Sequence, residues 1–319
     1  MPMIDMPLEE LKQYTGTNPL PRDFDEYWDR ALAELDVTED GVEIIDSEYS
    51  MPFARCSDLF FTGVGGARIH AKLLRPRSPV KSAPAVLVFH GYSGDAGDWT
   101  WYSSYVAAGM VVAALDCRGQ GGLSEDGGGV KGTTLNGHIV RGLDDAPDRL
   151  LFRQIFLDTA QLARIVMGMD EVDPGRVGAT GGSQGGGLTL ACTSLVPGIR
   201  QSVPIYPFLS DYQRVWEMDM AKHAYDELRS FFRHHDPNHS REQEIFTRLG
   251  YIDVHNLARR IKATTVMVTG LMDEICPPST QFAAYNAIQA EKRMVIYPDF
   301  GHETLPGSSD LVFRQMLEL

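Results

Sequence analysis

The stretch Gly178-Ala-Thr-Gly-Gly-Ser-Gln-Gly-Gly-Gly187 decides how the rest of the chain is read. An apolar, strand-like run over residues 176–180 leads into it, and a helical pattern over 184–195 leads out. At the junction stands Gly181-Gly182-Ser183-Gln184-Gly185, a G-x-S-x-G pattern. So sharp a strand-to-helix turn puts the serine in a strained conformation and leaves no room for side chains at the flanking positions, hence the glycines. The Ser183 hydroxyl is then presented at a helix N-terminus, where backbone N–H groups converge. The alternative is a glycine-rich helix entry with an ordinary N-cap serine, and the strand and helix flanks argue against it.

Working outward, short apolar runs at 85–89, 111–115, 176–180, 201–205, 264–269 and 293–297 alternate with helical stretches at 101–108, 150–169, 184–195, 279–289 and 310–317. This alternation predicts an α/β fold with a doubly wound, mostly parallel sheet covered on both faces. Upstream, Phe24, Trp28, Ala31 and Leu35 fall at helical spacing, with Asp23 and Glu26 placed as in a capping box. β-like runs at 42–49, 58–62 and 68–75 then suggest an antiparallel meander. The expectation is one domain over 1–319, with residues 1–83 as an N-terminal helix and β extension. Two stretches interrupt the alternation, a glycine-rich one at 119–148 and a polar, aromatic one at 211–253 read as a lid or interface insertion.

A serine hydroxyl is a weak nucleophile until a base takes its proton, so the junction calls for a histidine and an acid later in the chain. Asp273 follows the strand predicted at 264–269, and His302 follows the one ending at Tyr297. The carboxyl ends of parallel strands are where ligands bind in such sheets. In this reading Asp273 orients His302 and stabilises the imidazolium formed when Ser183 attacks. Asp299 and Glu303 are rival acids, but neighbours of a histidine in sequence rarely reach its Nδ1. Two donors must face the oxyanion of a tetrahedral intermediate, and the N–H groups of Gln184 and Tyr92 are the candidates. Arg118-Gly119-Gln120-Gly121, after the strand at 111–115, reads as a supporting loop. There Arg118 anchors neighbouring carbonyls and the glycines permit tight turns.

Composition narrows the partners. The chain has 319 residues, 29 Lys+Arg against 43 Asp+Glu and a net charge of −14, which argues against nucleic acid or an anionic membrane as partner. Its longest apolar runs are far short of the roughly 20 residues of a spanning helix. The first residues show neither a basic nor an apolar signal region, so a cytoplasmic protein is expected. Four dispersed cysteines fit reduced thiols rather than a disulfide framework or zinc site. His234, His235, Asp236 and His239 lie close together but lack metal-ligand spacing. The glycines at 63–66 lack a dinucleotide fingerprint. No metal and no cofactor are therefore expected. Trp99 and Trp101 are read as packing residues rather than a sugar platform.

Across nearly its whole length the chain resembles the acetyl xylan esterase and cephalosporin C deacetylase group, carbohydrate esterase family seven. The resemblance rests on Pro7-Leu-Glu-Glu-Leu, Asp23-Phe-Asp-Glu-Tyr-Trp28, Arg118-Gly-Gln-Gly121, Gly181-Gly-Ser-Gln-Gly185 and the His302-Glu303 pair. It implies the α/β-hydrolase fold, Ser183, Asp273 and His302 as a catalytic triad, and an oxyanion hole from Tyr92 and Gln184. It further implies a cytoplasmic homo-oligomer, commonly a hexamer, that removes acetyl groups from small acetylated substrates. Acetylated xylo-oligosaccharides, other acetylated sugars and cephalosporin-type acetates all need the same triad. A peptidase or other acyl hydrolase of the same fold is the second reading, and a non-catalytic binding module on this scaffold the third.

Overall fold

Among the described residues nine strands form one sheet in the computed structural model, which describes residues 4–37, 41–78, 81–127, 129 and 137–319. In chain order they are β1 Glu43–Asp46, β2 Ala54–Thr62, β3 Arg68–Pro76, β4 Ala83–Phe89, β5 Val111–Leu115, β6 Val172–Gly182, β7 Gln201–Ile205, β8 Thr264–Gly270 and β9 Lys292–Tyr297. The spatial order is β1-β2-β3-β5-β4-β6-β7-β8-β9. The first three strands are an antiparallel meander joined antiparallel to β5. From β5 to β9 every pair is parallel. The all-apolar runs mark the middle of the sheet, and all five residues of β5 are buried, as strands covered on both faces must be.

Helices cover both faces. Leu151–Met167 and Gln184–Leu195 pack together on one side, and Phe24–Val37 lies over the first of them. Trp28 is fully buried there, stacked on Phe156 with ring centroids 6.0 Å apart and donating its indole N–H to Tyr251 O. On the other side Val312 and Met316 of helix Ser308–Met316 meet Val86, Val203 and Val266. No helix among the described residues is long and apolar enough to cross a membrane.

Three expectations change in detail. The helix expected at 101–108 is a 3₁₀ turn, Trp99–Tyr102, followed by the short helix Ser103–Ala107, and it stops at Gly109, whose φ of +89° suits only glycine. Trp99 stacks on Tyr49, whereas Trp101 is 66% exposed and does not pack in the core. Residues 211–253 form three helices, Tyr212–Glu217, Asp226–His235 and Glu242–Leu249, whose Tyr212, Leu228, Phe232 and Phe246 belong to the main core. Of the 119–148 stretch, residues 128 and 130–136 lie outside the described residues.

Arg118 leaves the carboxyl end of β5 and turns inward. Its Nε and Nη2 donate to Asp158 Oδ2 and Oδ1 at 2.7 and 2.5 Å, and its Nη1 donates to Val64 O at 3.0 Å and Gln154 Oε1 at 2.9 Å. Both charges are essentially inaccessible to solvent. Such a pair adds little by being present, but losing one partner leaves a bare buried charge. Asp158→Ala should therefore cost about 3–5 kcal/mol in urea denaturation. A loss below about 1 kcal/mol would show that the guanidinium finds another partner.

Candidate active site

Ser183 links β6 to helix Gln184–Leu195 with φ 58° and ψ −120°. Side-chain-bearing residues avoid this region at a cost of about 1–3 kcal/mol. Hydrogen bonds on both sides hold the conformation. Ser183 N–H donates to Ile205 O, and Ser183 O accepts from the N–H groups of Gly187 and Phe208, all at 3.0 Å. The neighbouring glycines are demanded by contact. A Cβ at Gly181 would lie 2.4 Å from Phe89 O, and one at Gly185 would lie 2.0 Å from the same atom. The turn thus presses against the end of β4, which fixes the hydroxyl relative to the loop after that strand.

His302 reaches this hydroxyl from the loop after β9, with Nε2 2.9 Å from Ser183 Oγ. Its Nδ1 lies 2.9 Å from Oδ2 of Asp273, at the end of β8. Asp273 is fully buried, and its Oδ1 accepts the N–H groups of Ile275 at 2.9 Å and Cys276 at 2.8 Å. Gln281 Nε2 donates to Oδ2 at 3.3 Å. The carboxylate is thus oriented from several sides. Of the rival acids, Glu303 accepts the Gly301 N–H, and among the described residues the carboxylate hydrogen-bonded to His302 is that of Asp273. The order Ser183, Asp273, His302 read from the sequence is brought together in space.

The loop after β4 carries Tyr92. Cys117 N–H donates to His90 Nε2 at 3.0 Å, so His90 is the neutral tautomer that donates from Nδ1 to Gly91 O at 2.7 Å. Burial pushes its pKa down, in keeping with that form. Among the described residues the N–H groups of Tyr92 and Gln184 donate to no protein acceptor. Gln120 ties the two residues' surroundings together. Its amide exchanges hydrogen bonds with the buried Gln184 amide, each at 2.9 Å, and its Oε1 also accepts Ser93 N–H at 2.8 Å. Gly119 adopts φ +71°, and a Cβ at Gly121 would lie 2.9 Å from Gly94 O, so that loop closes tightly on the Tyr92 loop. Arg118 stands behind, paired with Asp158.

Sequence reading passed over Cys276. Its thiol is buried beside Asp273 and Ser183, and burial together with the Asp273 charge pushes its pKa well up. Potential ligand atoms of Asp273, Cys276 and His302 approach within 4.8 Å of one another. The imidazole and carboxylate already bond each other, however, and the thiol is held protonated, so the group suits proton transfer better than metal binding. The cluster at 234–239 is a capping arrangement. Asp236 accepts from the N–H groups of Ser240 and Arg241, while His234 and His239 bond Ser230 O and Glu242. All four cysteines are free and buried.

Together Ser183, His302 and Asp273 make a base-activated alcohol nucleophile, the equipment of acyl transfer. Comparison with known proteins agrees. The family model described as Acetyl xylan esterase (AXE1) matches residues 1–317. The crystal structure of acetyl xylan esterase 1 from Thermoanaerobacterium sp. JW/SL YS485 is similar at 59% identity and a TM-score of 0.97, covering 99% of both chains. An acetyl xylan esterase from Paenibacillus sp. R4 is 34% identical with a TM-score of 0.93, covering 98% of this chain and 99% of its own. The acetyl esterase Axe7A of Xylanibacter ruminicola is 28% identical over 98% of this chain and 69% of its own length. The α/β-hydrolase fold follows from these structures.

The strain at Ser183 can be measured apart from chemistry. Ser183→Gly and Ser183→Ala both remove the hydroxyl, but only glycine relieves the positive φ. The glycine variant should be more stable by about 1 kcal/mol in urea denaturation, after allowing for its greater unfolded-state entropy. An alanine variant as stable as the glycine one would contradict a strained turn.

Proposed function

The chain belongs to the acetyl xylan esterase family and is a carboxylic ester hydrolase, and from that premise we propose that it deacetylates small acetylated alcohols through an acetyl-enzyme on Ser183. The observation that carries this reading is the unbroken chain Ser183 Oγ, His302 Nε2, His302 Nδ1, Asp273 Oδ2, with 2.9 Å at each hydrogen bond. Ser183 Oγ attacks the acetyl carbonyl carbon while His302 Nε2 takes its proton. The carbonyl oxygen becomes an oxyanion facing the N–H groups of Tyr92 and Gln184. Collapse breaks the bond to the alcohol oxygen, which leaves with the proton held by His302. Water then attacks the acetyl-enzyme with His302 again as base, and acetate departs as the proton returns to Ser183. Asp273 keeps the tautomer that presents Nε2 as acceptor and stabilises the imidazolium.

The alcohol is an acetylated xylo-oligosaccharide, another acetylated sugar or a cephalosporin-type acetate. A net charge of −14 suits the neutral acetylated sugars among these. Four buried free thiols support a reducing, cytoplasmic location. A homo-oligomer, a hexamer by family resemblance, is supported by the uncovered sheet edge, where Ile44, Ile45 and Phe53 are each more than 40% exposed. Light scattering should report a mass several times the 35.4 kDa of one chain. A monomer across the working concentration range would reject the assembly.

The chemistry is tested with p-nitrophenyl acetate and butyrate. Ser183→Ala should lower acetate turnover by at least about 10³-fold, and Asp273→Asn by about 10⁴-fold in kcat. Butyrate should be cleaved at least about tenfold more slowly than acetate by the wild type, as a small acyl pocket requires. Acetate turnover undiminished in Ser183→Ala would reject the mechanism.

A further inference from the structure

One carboxyl group joins three separate pieces of chain behind the site. Glu227 lies in the first turn of helix Asp226–His235, within the 211–253 segment, and is 1% exposed. Its Oε1 accepts the Tyr92 hydroxyl at 2.7 Å and its Oε2 accepts the Val140 N–H at 2.9 Å. The N–H groups of His138 and Ile139 also favour the ionised form of this carboxyl. The Tyr92 hydroxyl in turn accepts the His138 N–H at 3.0 Å. Gly137 has φ +94°, and a Cβ there would lie 2.1 Å from Glu227 Oε1 and 2.5 Å from the Tyr92 hydroxyl oxygen. The loop therefore closes over the Glu227–Tyr92 pair with no space left.

A neutral side chain of similar shape would be far easier to bury. Among the described residues no cation is paired with Glu227, and burial pushes its pKa up to about 8. What the carboxyl offers is acceptor capacity, since its two oxygens can serve several N–H and O–H donors at once. That capacity is used on the loop that bears Tyr92. The Gln184 N–H is located by the strained turn at Ser183 and the helix that follows. The Tyr92 N–H sits on a loop between strand and 3₁₀ turn, and its position has to be imposed from outside.

We propose that Glu227 is a positioning residue for the oxyanion hole, holding the Tyr92 side chain so that the Tyr92 N–H stays where the oxyanion forms. The proposal rests on the reading of that N–H as an oxyanion donor. Two braces act on the loop. Gln120 Oε1 holds the next residue through the Ser93 N–H, and Glu227 holds the far end of the Tyr92 ring. The ring is further wedged by Phe208 and His138, at centroid distances of 5.6 and 5.2 Å. With both braces in place the peptide between residues 91 and 92 cannot tilt freely. Donors of this kind must lie within about 2.7–3.1 Å of the oxyanion, and a shift of about 1 Å costs up to about 10²-fold in rate. The segment 211–253 would in this way act on catalysis without touching the substrate.

The test compares Glu227→Gln, Tyr92→Phe and the double variant. Each single change should lower kcat for p-nitrophenyl acetate by about 10- to 100-fold with KM within about twofold, as loss of a transition-state interaction requires. Because both changes break one connection, the double variant should be no worse than about threefold below the weaker single one. Affinity for a boronic acid, whose tetrahedral adduct on Ser183 places an oxygen in the oxyanion hole, should fall in parallel with kcat. Tyr92→Phe keeps the ring and its packing, so it carries the test should Glu227→Gln fold poorly. A kcat within about twofold of wild type in Tyr92→Phe, effects that multiply in the double variant, or unchanged boronic acid affinity would overturn the proposal. Failure of the proposed Ser183 mechanism, on which the oxyanion reading stands, looks different, because the wild type itself would then bind no boronic acid and Ser183→Ala would retain turnover.

Discussion

Everything in this site depends on the left-handed backbone of Ser183. At φ 58° the turn from β6 into helix Gln184–Leu195 is tight enough that Gly181 and Gly185 both press on the Phe89 carbonyl. That contact does two things. It lifts the hydroxyl above the sheet, and it registers the hydroxyl against the loop following β4, which carries Tyr92. The strain is held by hydrogen bonds to Ile205 and Phe208, on the far side of the turn. A relaxed serine at this place would lose its alignment with His302.

Around that fixed point the parallel sheet delivers one group per strand end. β8 leads to Asp273, β9 to His302, β4 to Tyr92, and β5 to the Arg118-Gly-Gln-Gly loop. Each side chain is then immobilised by partners that do no chemistry. Asp273 is surrounded by the N–H groups of Ile275 and Cys276 and the amide of Gln281. Gln120 bridges the Gln184 amide and the Ser93 backbone, so one side chain couples the start of the helix after Ser183 to the loop after β4. Arg118 does not reach the site, and its buried pairing with Asp158 fixes the loop on which Gln120 stands. Preorganisation of this kind lets the site meet developing charge without rearranging during the reaction.

Much of this was legible in the sequence, for physical reasons. The run at 111–115 matches β5 residue for residue, because a strand buried on both faces is continuously apolar, and the run at 201–205 matches β7 although its first two residues, Gln201 and Ser202, are polar and buried. The serine declares itself through glycines that only its turn requires, and Asp273 and His302 by standing just after strands. What escaped lacks any local pattern. Glu227 looks like a surface residue of a polar helix, and only the folding of 211–253 against Tyr92 gives it a role. Asp158 lies among other polar residues of the mostly buried helix Leu151–Met167, and its meaning depends on Arg118, far away in sequence. Trp101 resembles a core aromatic by type yet faces solvent, since the 3₁₀ turn rotates it off the face a regular helix would have buried.

The central claim is that the acetyl group passes through Ser183. It is tested most directly by quenching the enzyme in acid during steady-state turnover of an acetyl ester and mapping the modified peptide by mass spectrometry. One added acetyl group per chain is expected, located on Ser183 and absent from Ser183→Ala. An enzyme that turns over rapidly with no acetylated Ser183, or with the acetyl group on another residue, would contradict it.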